Sequence, residues 1–184
     1  DHGLSTLSAN NFGDLPMHIN YIRGLSQGID FPPRNAIYAA EPLRYPYGMD
    51  LFNSLLEKIG VPLSGHLLLT GLLATLASLA LLKKFGGPWA MGGFFFNSGL
   101  IAWSALMHGA ALTPQETTEW KSLFLAVFIT QRGMLLALPV GLLLLLCTLR
   151  EYSSAGARLT PTQKTALGQA WGFLPLFHLH SFVA

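Results

Sequence analysis

Val140-Gly141-Leu142-Leu143-Leu144-Leu145-Leu146-Cys147 presents no charged side chain, and it lies inside the longest apolar segment of the chain, from about Ser122 to Leu149. A helix of about 20 mainly apolar residues crosses a hydrocarbon core of about 30 Å, so this segment is long enough to span and must tilt or protrude. Working outward, two segments of the same character stand upstream, from about Pro62 to Leu82 and from about Pro88 to Leu112. A fourth, from about Leu167 to Ala184, is apolar at its end. In lipid each spanning backbone must satisfy its own hydrogen bonds, which makes these segments helices. Composition agrees: 51% hydrophobic and 11% charged residues at a mean hydropathy of +0.44 are too apolar for an ordinary soluble domain of 184 residues. The expected fold is an all-α integral membrane protein with about four transmembrane helices (62–82, 88–112, 122–149 and 167–184) in residues 61–184. Residues 1–60 precede them as one large extracytoplasmic loop with short amphipathic helices.

The same numbers exclude other classes. A net charge of +2 and the lack of any Lys/Arg run leave nothing to track a phosphate backbone, so no nucleic-acid partner is expected. Cys147 is the single cysteine, which rules out an intrachain disulfide and reads as a small apolar residue facing lipid or a helix. The chain starts at Asp1 without a charged n-region or apolar h-region, and it ends within an apolar segment. Both ends read as cut, so further transmembrane helices of a full-length protein, or partner subunits, are expected beside it.

Orientation follows from the cations, because short cytoplasmic loops are enriched in Lys and Arg. Lys83-Lys84 separates the first two segments, and Arg150, Arg158 and Lys164 separate the last two, which assigns both connections to the cytoplasm. Glu116, Glu119 and Lys121 fit the outer side, and by alternation so do residues 1–60, at the plasma (inner) membrane. His66, His108, His178 and His180 then fall at or near outer helix ends, with Gln131-Arg132 roughly 15 Å below the outer end of the third segment. An intramembrane Arg is costly and faces protein or a water-filled cavity. Asp14, Arg132 and at least one of His178 and His180 are therefore expected to border one cavity.

Within the loop, Asp14-Leu15-Pro16 is a helix start and Gly28 a stop. Asp14 and His18, four apart, share a face of that helix, which is amphipathic and suited to a membrane surface. Phe31-Pro32-Pro33-Arg34-Asn35 must run extended. Arg44-Tyr45-Pro46-Tyr47-Gly48-Met49-Asp50 then gathers aromatics, a cation and an acid, the groups that hold a sugar face and a phosphate. A short helix from Gly48 to Ile59, with apolar Leu51, Phe52, Leu55 and Leu56, leads to the first span. Each feature also has a structural explanation: Asp14 as a cap, the tyrosines as headgroup-level packing, the histidines as interfacial hydrogen-bonding groups and Arg132 as part of a structural ion pair or carbonyl clamp.

Asp14, Tyr21-Ile22 and Leu25, Gly28, the Pro-rich extension, Arg44-Tyr45-Pro46-Tyr47-Gly48 and Lys58-Ile59-Gly60 together resemble the first extracytoplasmic loop of GT-C class glycosyltransferases. The likeness is to the bacterial protein O-mannosyltransferase and aminoarabinose transferase families. Gln131-Arg132 and Gly172-Phe173-Leu174-Pro175-Leu176-Phe177-His178-Leu179-His180 resemble further segments of that group. The resemblance implies transfer of a sugar from a polyprenyl-phosphate donor to an acceptor at the outer membrane face, usually with inversion. It implies that Asp14 is the general base or organises the acceptor. Many relatives carry an acidic pair here, whereas Leu15 follows Asp14, which leaves His18 or Asp50 as the second group.

Direct displacement needs a base at the acceptor hydroxyl and a cationic or metal clamp on the leaving phosphate. Asp14, His18 and Asp50 are the catalytic candidates, and Arg44, Tyr45, Tyr47, Arg132, His178 and His180 the substrate-binding ones. Asp14, His18, Asp50 and the outer histidines are also suitable ligand types for a divalent metal, without compact spacing. No Gly-rich phosphate loop is present, which argues against a soluble nucleotide-sugar fold. The competing reading is a non-catalytic membrane subunit whose loop docks a partner protein or cofactor. A transporter segment has less support, since no broken helix pair or inverted repeat is visible.

Overall fold

The computed structural model describes residues 11–28, 32–35, 38, 41–97, 107, 124, 128, 130–152, 158–179 and 182. His108, Glu116, Glu119, Lys121 and His180, and most of the expected 98–112 and 122–129 helical stretches, lie outside the described residues. What is described is all-helical: α1 (Asn11–Ser26), α2 (Gly48–Lys58), α3 (Leu63–Phe96), α4 (Arg132–Tyr152) and α5 (Pro161–Phe177).

Two of these, α3 and α4, are long and apolar enough to cross a membrane. Their most apolar windows are only 28% and 39% buried, so most of that surface faces outward, unlike the core helix of a soluble protein. Leu68, Leu69, Leu72, Leu73 and Leu76 are all about half exposed or more. The buried stripe of α3 is instead His66, Thr70, Ala74 and Ser78, one residue per four, small or polar. Closely approaching helices in lipid select such residues, because apolar side chains gain nothing by leaving the acyl chains.

Several boundaries differ from the sequence expectation. The helix expected to begin with Asp14 as its cap begins at Asn11, which places Asp14 in the first turn and Pro16 inside the helix. Lys83-Lys84 are not in a loop; α3 runs through them and breaks only at Gly86 and Gly87. Gly87 adopts φ 59, ψ −149, a region essentially reserved for glycine. The third segment is not one unbroken helix, because Thr130 lies in a turn and Arg132 opens α4. Arg132 is thus at a helix start rather than ten residues below one. The fourth segment is displaced towards the N-terminus. Thr160 Oγ1 accepts from the Gln163 N–H and Gln163 Oε1 accepts from the Thr160 N–H, a capping box that starts α5 at Pro161.

Contacts give the helix directions. Thr70, Ala74, Ala77 and Leu81 line one groove with Leu136, Pro139, Val140 and Leu143, so α3 and α4 advance side by side in parallel. Lys164 reaches Glu151, Leu174 approaches Gly141 and Phe177 meets Gly133, so α5 runs antiparallel to α4. At the meeting of three helix ends two glycines are required by space. A Cβ at Gly133 would overlap the Phe177 carbonyl, and one at Gly48 would lie 2.9 Å from the Phe177 ring. On this end sit α1 and α2, also parallel, joined by His18 to Asp50 and Arg23 to Glu57. Between them the chain doubles back, with Leu43 N–H donating to Pro33 O and Asn35 N–H to Glu41 O.

Candidate functional site

α2 is a helix whose polar face is inside. Asp50, Asn53 and Ser54 are 1% exposed or less, while Phe52 and Leu55 are 44% and 54% exposed. Two of the apolar side chains that mark this helix in the sequence, Phe52 and Leu55, therefore point away from the protein, and the buried face carries the chemistry. Asp50 meets α1: His18 Nδ1 lies 2.9 Å from both carboxylate oxygens. With Nδ1–H donating to Asp50, Nε2 is the proton-accepting nitrogen. Nε2 is buried and has no hydrogen-bond partner among the described residues. Burial pushes the Asp50 carboxyl above the usual carboxylate range; the His18 hydrogen bond, the His18 charge and the Arg132 charge pull it back.

The Tyr45 ring closes this pair from the outside, edge-to-face with His18 at 5.8 Å and tilted against Tyr21 at 6.0 Å. Burial, then the charges of Asp14 and Asp50, raise the Tyr45 phenol above its ordinary value, which places both carboxylates within electrostatic reach of one hydroxyl. Asp14 is half-buried on the same helix as His18.

Beneath the pair the network continues into α3 and α4. His66 Nδ1–H donates to Asn53 Oδ1 at 2.9 Å, and Asn53 Nδ2 donates to Met49 O. Thr70 Oγ1 donates to His66 O and receives the Arg132 guanidinium at 3.1 Å; Arg132 also reaches Leu67 O at 3.4 Å. Arg132 is 8% exposed, forms no ion pair within contact distance among the described residues, and keeps a buried Nε without a partner. Its nearest acid by charge effect is Asp50.

A cavity of about 230 Å³ opens beside Tyr45, walled by Pro46, Gln131, Gly133, Phe177, His178 and Leu179. His178 Nε2–H donates to Gln131 Oε1 at 2.7 Å. A second cavity of about 290 Å³ lies on the other side of Tyr45, among Tyr21, Asn35, Tyr38, Glu41 and Arg44.

The structure thus brings His18, Asp50 and Tyr45 into contact, with Asp14 and Arg132 in electrostatic range and His178 across a cavity from Tyr45. Two expectations are corrected. Neither Asp14 nor Arg132 lines the His178 cavity, because the Arg132 side chain turns to α3 while its neighbours Gln131 and Gly133 form the wall. Arg44 does not enter the cluster; its side chain is 81% exposed and pairs with Glu41 at 3.3 Å. Tyr47 sits at the N-terminal boundary of α2, where its carbonyl accepts from Leu51. No group of three or more His, Cys, Asp or Glu side chains suited to a metal exists among the described residues. Asn53 and Thr70 are site residues that the sequence does not single out, and His66, read there only as one of the outer histidines, joins them. Their signal is spacing: Asp50 and Asn53 are three apart, His66 and Thr70 four apart, each on one face of an apolar neighbourhood.

No protein-family model, curated protein or solved structure matches this chain.

Proposed function

We propose that the chain is part of a membrane glycosyltransferase that moves a sugar from a polyprenyl-phosphate donor to an acceptor hydroxyl at the outer face of the membrane. The observation that carries this reading is the His18–Asp50 pair, set at the N-terminal ends of two membrane-length helices within charge range of a buried guanidinium. In this mechanism Asp50 holds the His18 tautomer, and Nε2 takes the proton of the acceptor hydroxyl as its oxygen attacks the anomeric carbon. The C–O bond to the phosphate breaks, and the leaving phosphate is stabilised by Arg132. Tyr45 packs edge-to-face on the His18 ring and lines both cavities, and Nε2 is buried, so in this mechanism substrate entry requires side chains at the pair, Tyr45 first, to move. Asp14, the base implied by family likeness, acts here through the Tyr45 hydroxyl or on the acceptor.

The closed state of the pair, with His18 and Asp50 at 1% and 0% exposure, favours the alternative of a non-catalytic subunit in which the cluster is structural. Turnover of a polyprenyl-phosphate sugar by the full-length protein in detergent separates the two. His18→Gln should lower the rate by at least about 100-fold, the usual worth of a general base, with the fold retained. Asp14→Asn ranks the two candidate bases: a larger loss there than in His18→Gln returns the base role to Asp14. Wild-type rates in both variants would remove His18 and Asp14 from the chemistry, and absence of turnover in the wild type would leave the non-catalytic reading.

A further inference from the structure

A further cavity lies at the opposite end of the helices. It encloses about 570 Å³ between the C-terminal turns of α4 and the N-terminal half of α5. Its lining includes the half-buried apolar and aromatic Leu159, Leu167 and Trp171 and the exposed Tyr152, Arg158 and Lys164.

The walls are fixed. Glu151 takes Lys164 Nζ on one oxygen at 2.6 Å and the Leu159 N–H on the other at 2.6 Å, and the Trp171 indole N–H donates to Thr148 at 3.3 Å. Glu151 is therefore fully engaged and its charge is matched by Lys164. Arg158 makes no hydrogen bond among the described residues and adds its charge to that of Lys164 around Glu151, so two cations face one carboxylate and the lining carries a net charge of one positive. Aromatic side chains with a polar edge and cations just beyond an apolar span are the composition of a membrane interface.

We infer that this cavity binds the phosphate headgroup of an anionic phospholipid, with Arg158 on the phosphate, Lys164 beside it on Glu151, and Trp171, Leu159 and Leu167 against the glycerol and upper acyl carbons. A guanidinium suits a phosphate because it presents paired donors. The assignment rests on α4 being a membrane span and is independent of the transferase reading.

The full chain in detergent, titrated with phosphatidylglycerol or phosphatidylcholine and read by native mass spectrometry, tests it. The wild type should retain phosphatidylglycerol in preference to phosphatidylcholine. Arg158→Gln should weaken phosphatidylglycerol retention about tenfold, the scale of one charge-assisted hydrogen bond, without altering the melting temperature. Arg150→Gln removes an exposed cation of the same region that does not line the cavity, and should leave retention near the wild-type level. Equal losses in the two variants would reduce the effect to general surface charge and overturn the site, as would equal retention of the two lipids. Displacement of the bound lipid by millimolar inorganic phosphate alone would assign the cavity to a soluble phosphate and overturn the lipid assignment.

Discussion

Asp50 concentrates the physics of the cluster in one residue. Its carboxylate is buried, shares its two oxygens with one imidazole nitrogen, and feels Arg132 without touching it. Burial is the largest influence and raises its pKa above 3.8. An acid with a raised folded pKa binds its proton more tightly folded than unfolded. Its contribution to stability is fully present below the unfolded value and is lost as pH rises through the folded one. Asp50→Asn has no such titration. The melting temperature of the wild type relative to Asp50→Asn should therefore fall as pH is raised from about 4 to neutrality, measured in one detergent at constant ionic strength. The opposite slope would mean that His18 and Arg132 together outweigh desolvation, and that the pair is a stabilising ion pair rather than a poised base.

Among the elements, α2 best shows what the sequence could and could not reveal. Its existence and limits were legible, since Gly48 to Ile59 reads as a short helix and Gly48–Lys58 is one. Which face is inside was not, because apolar Phe52 and Leu55 are the side chains that water would drive inward, and they are exposed. The same inversion hides Thr70 on α3 and the partners of His66. Boundaries failed where a local device overrode hydropathy: the Thr160–Gln163 capping box moved α5, and the turn at Thr130 shortened α4. His18, Asp50 and Tyr45 were legible as site candidates because their types carry chemistry; the Arg132–Thr70 contact is long-range and left no trace in spacing. The close approach of α5 to α4 was equally invisible, and it can be tested by glycine substitution. Gly133→Ala should destabilise by about 1–3 kcal/mol, because the new methyl meets the Phe177 backbone and cannot be accommodated by a side-chain rotation. Gly141→Ala meets only Leu174 Cδ2 at 3.6 Å, ordinary contact, and should stabilise by up to about 1 kcal/mol through helix propensity. Thermal unfolding of the two variants in detergent gives the comparison, and equal shifts would refute the three-helix junction.

At the scale of the whole molecule the two ends are chemically opposite. α3 and α4 start together beside His18, Asp50, His66 and Arg132, and α5 returns to that end at His178. Leu63 to Phe85 is about 35 Å of helix, enough to cross a hydrocarbon core and bring Lys83 and Lys84 to its far side. Arg150, Arg158 and Lys164 gather towards that same far side, because α4 is parallel to α3 and α5 antiparallel to it. Two parallel spans would place the polar cluster and the cations on opposite sides, and the enrichment of cations in cytoplasmic loops predicts that the cation-rich side is the cytoplasmic one. With Cys147→Ser as background, a membrane-impermeant maleimide applied to intact cells expressing the full-length protein should modify Asn35→Cys and spare Lys84→Cys until the membrane is permeabilised. A cysteine at Arg158 should behave as the one at Lys84, since both belong to the same end. The reverse pattern would put the His18–Asp50 pair on the cytoplasmic side. An outer-leaflet sugar donor would then be unable to reach it, and the transferase reading would fall with the topology.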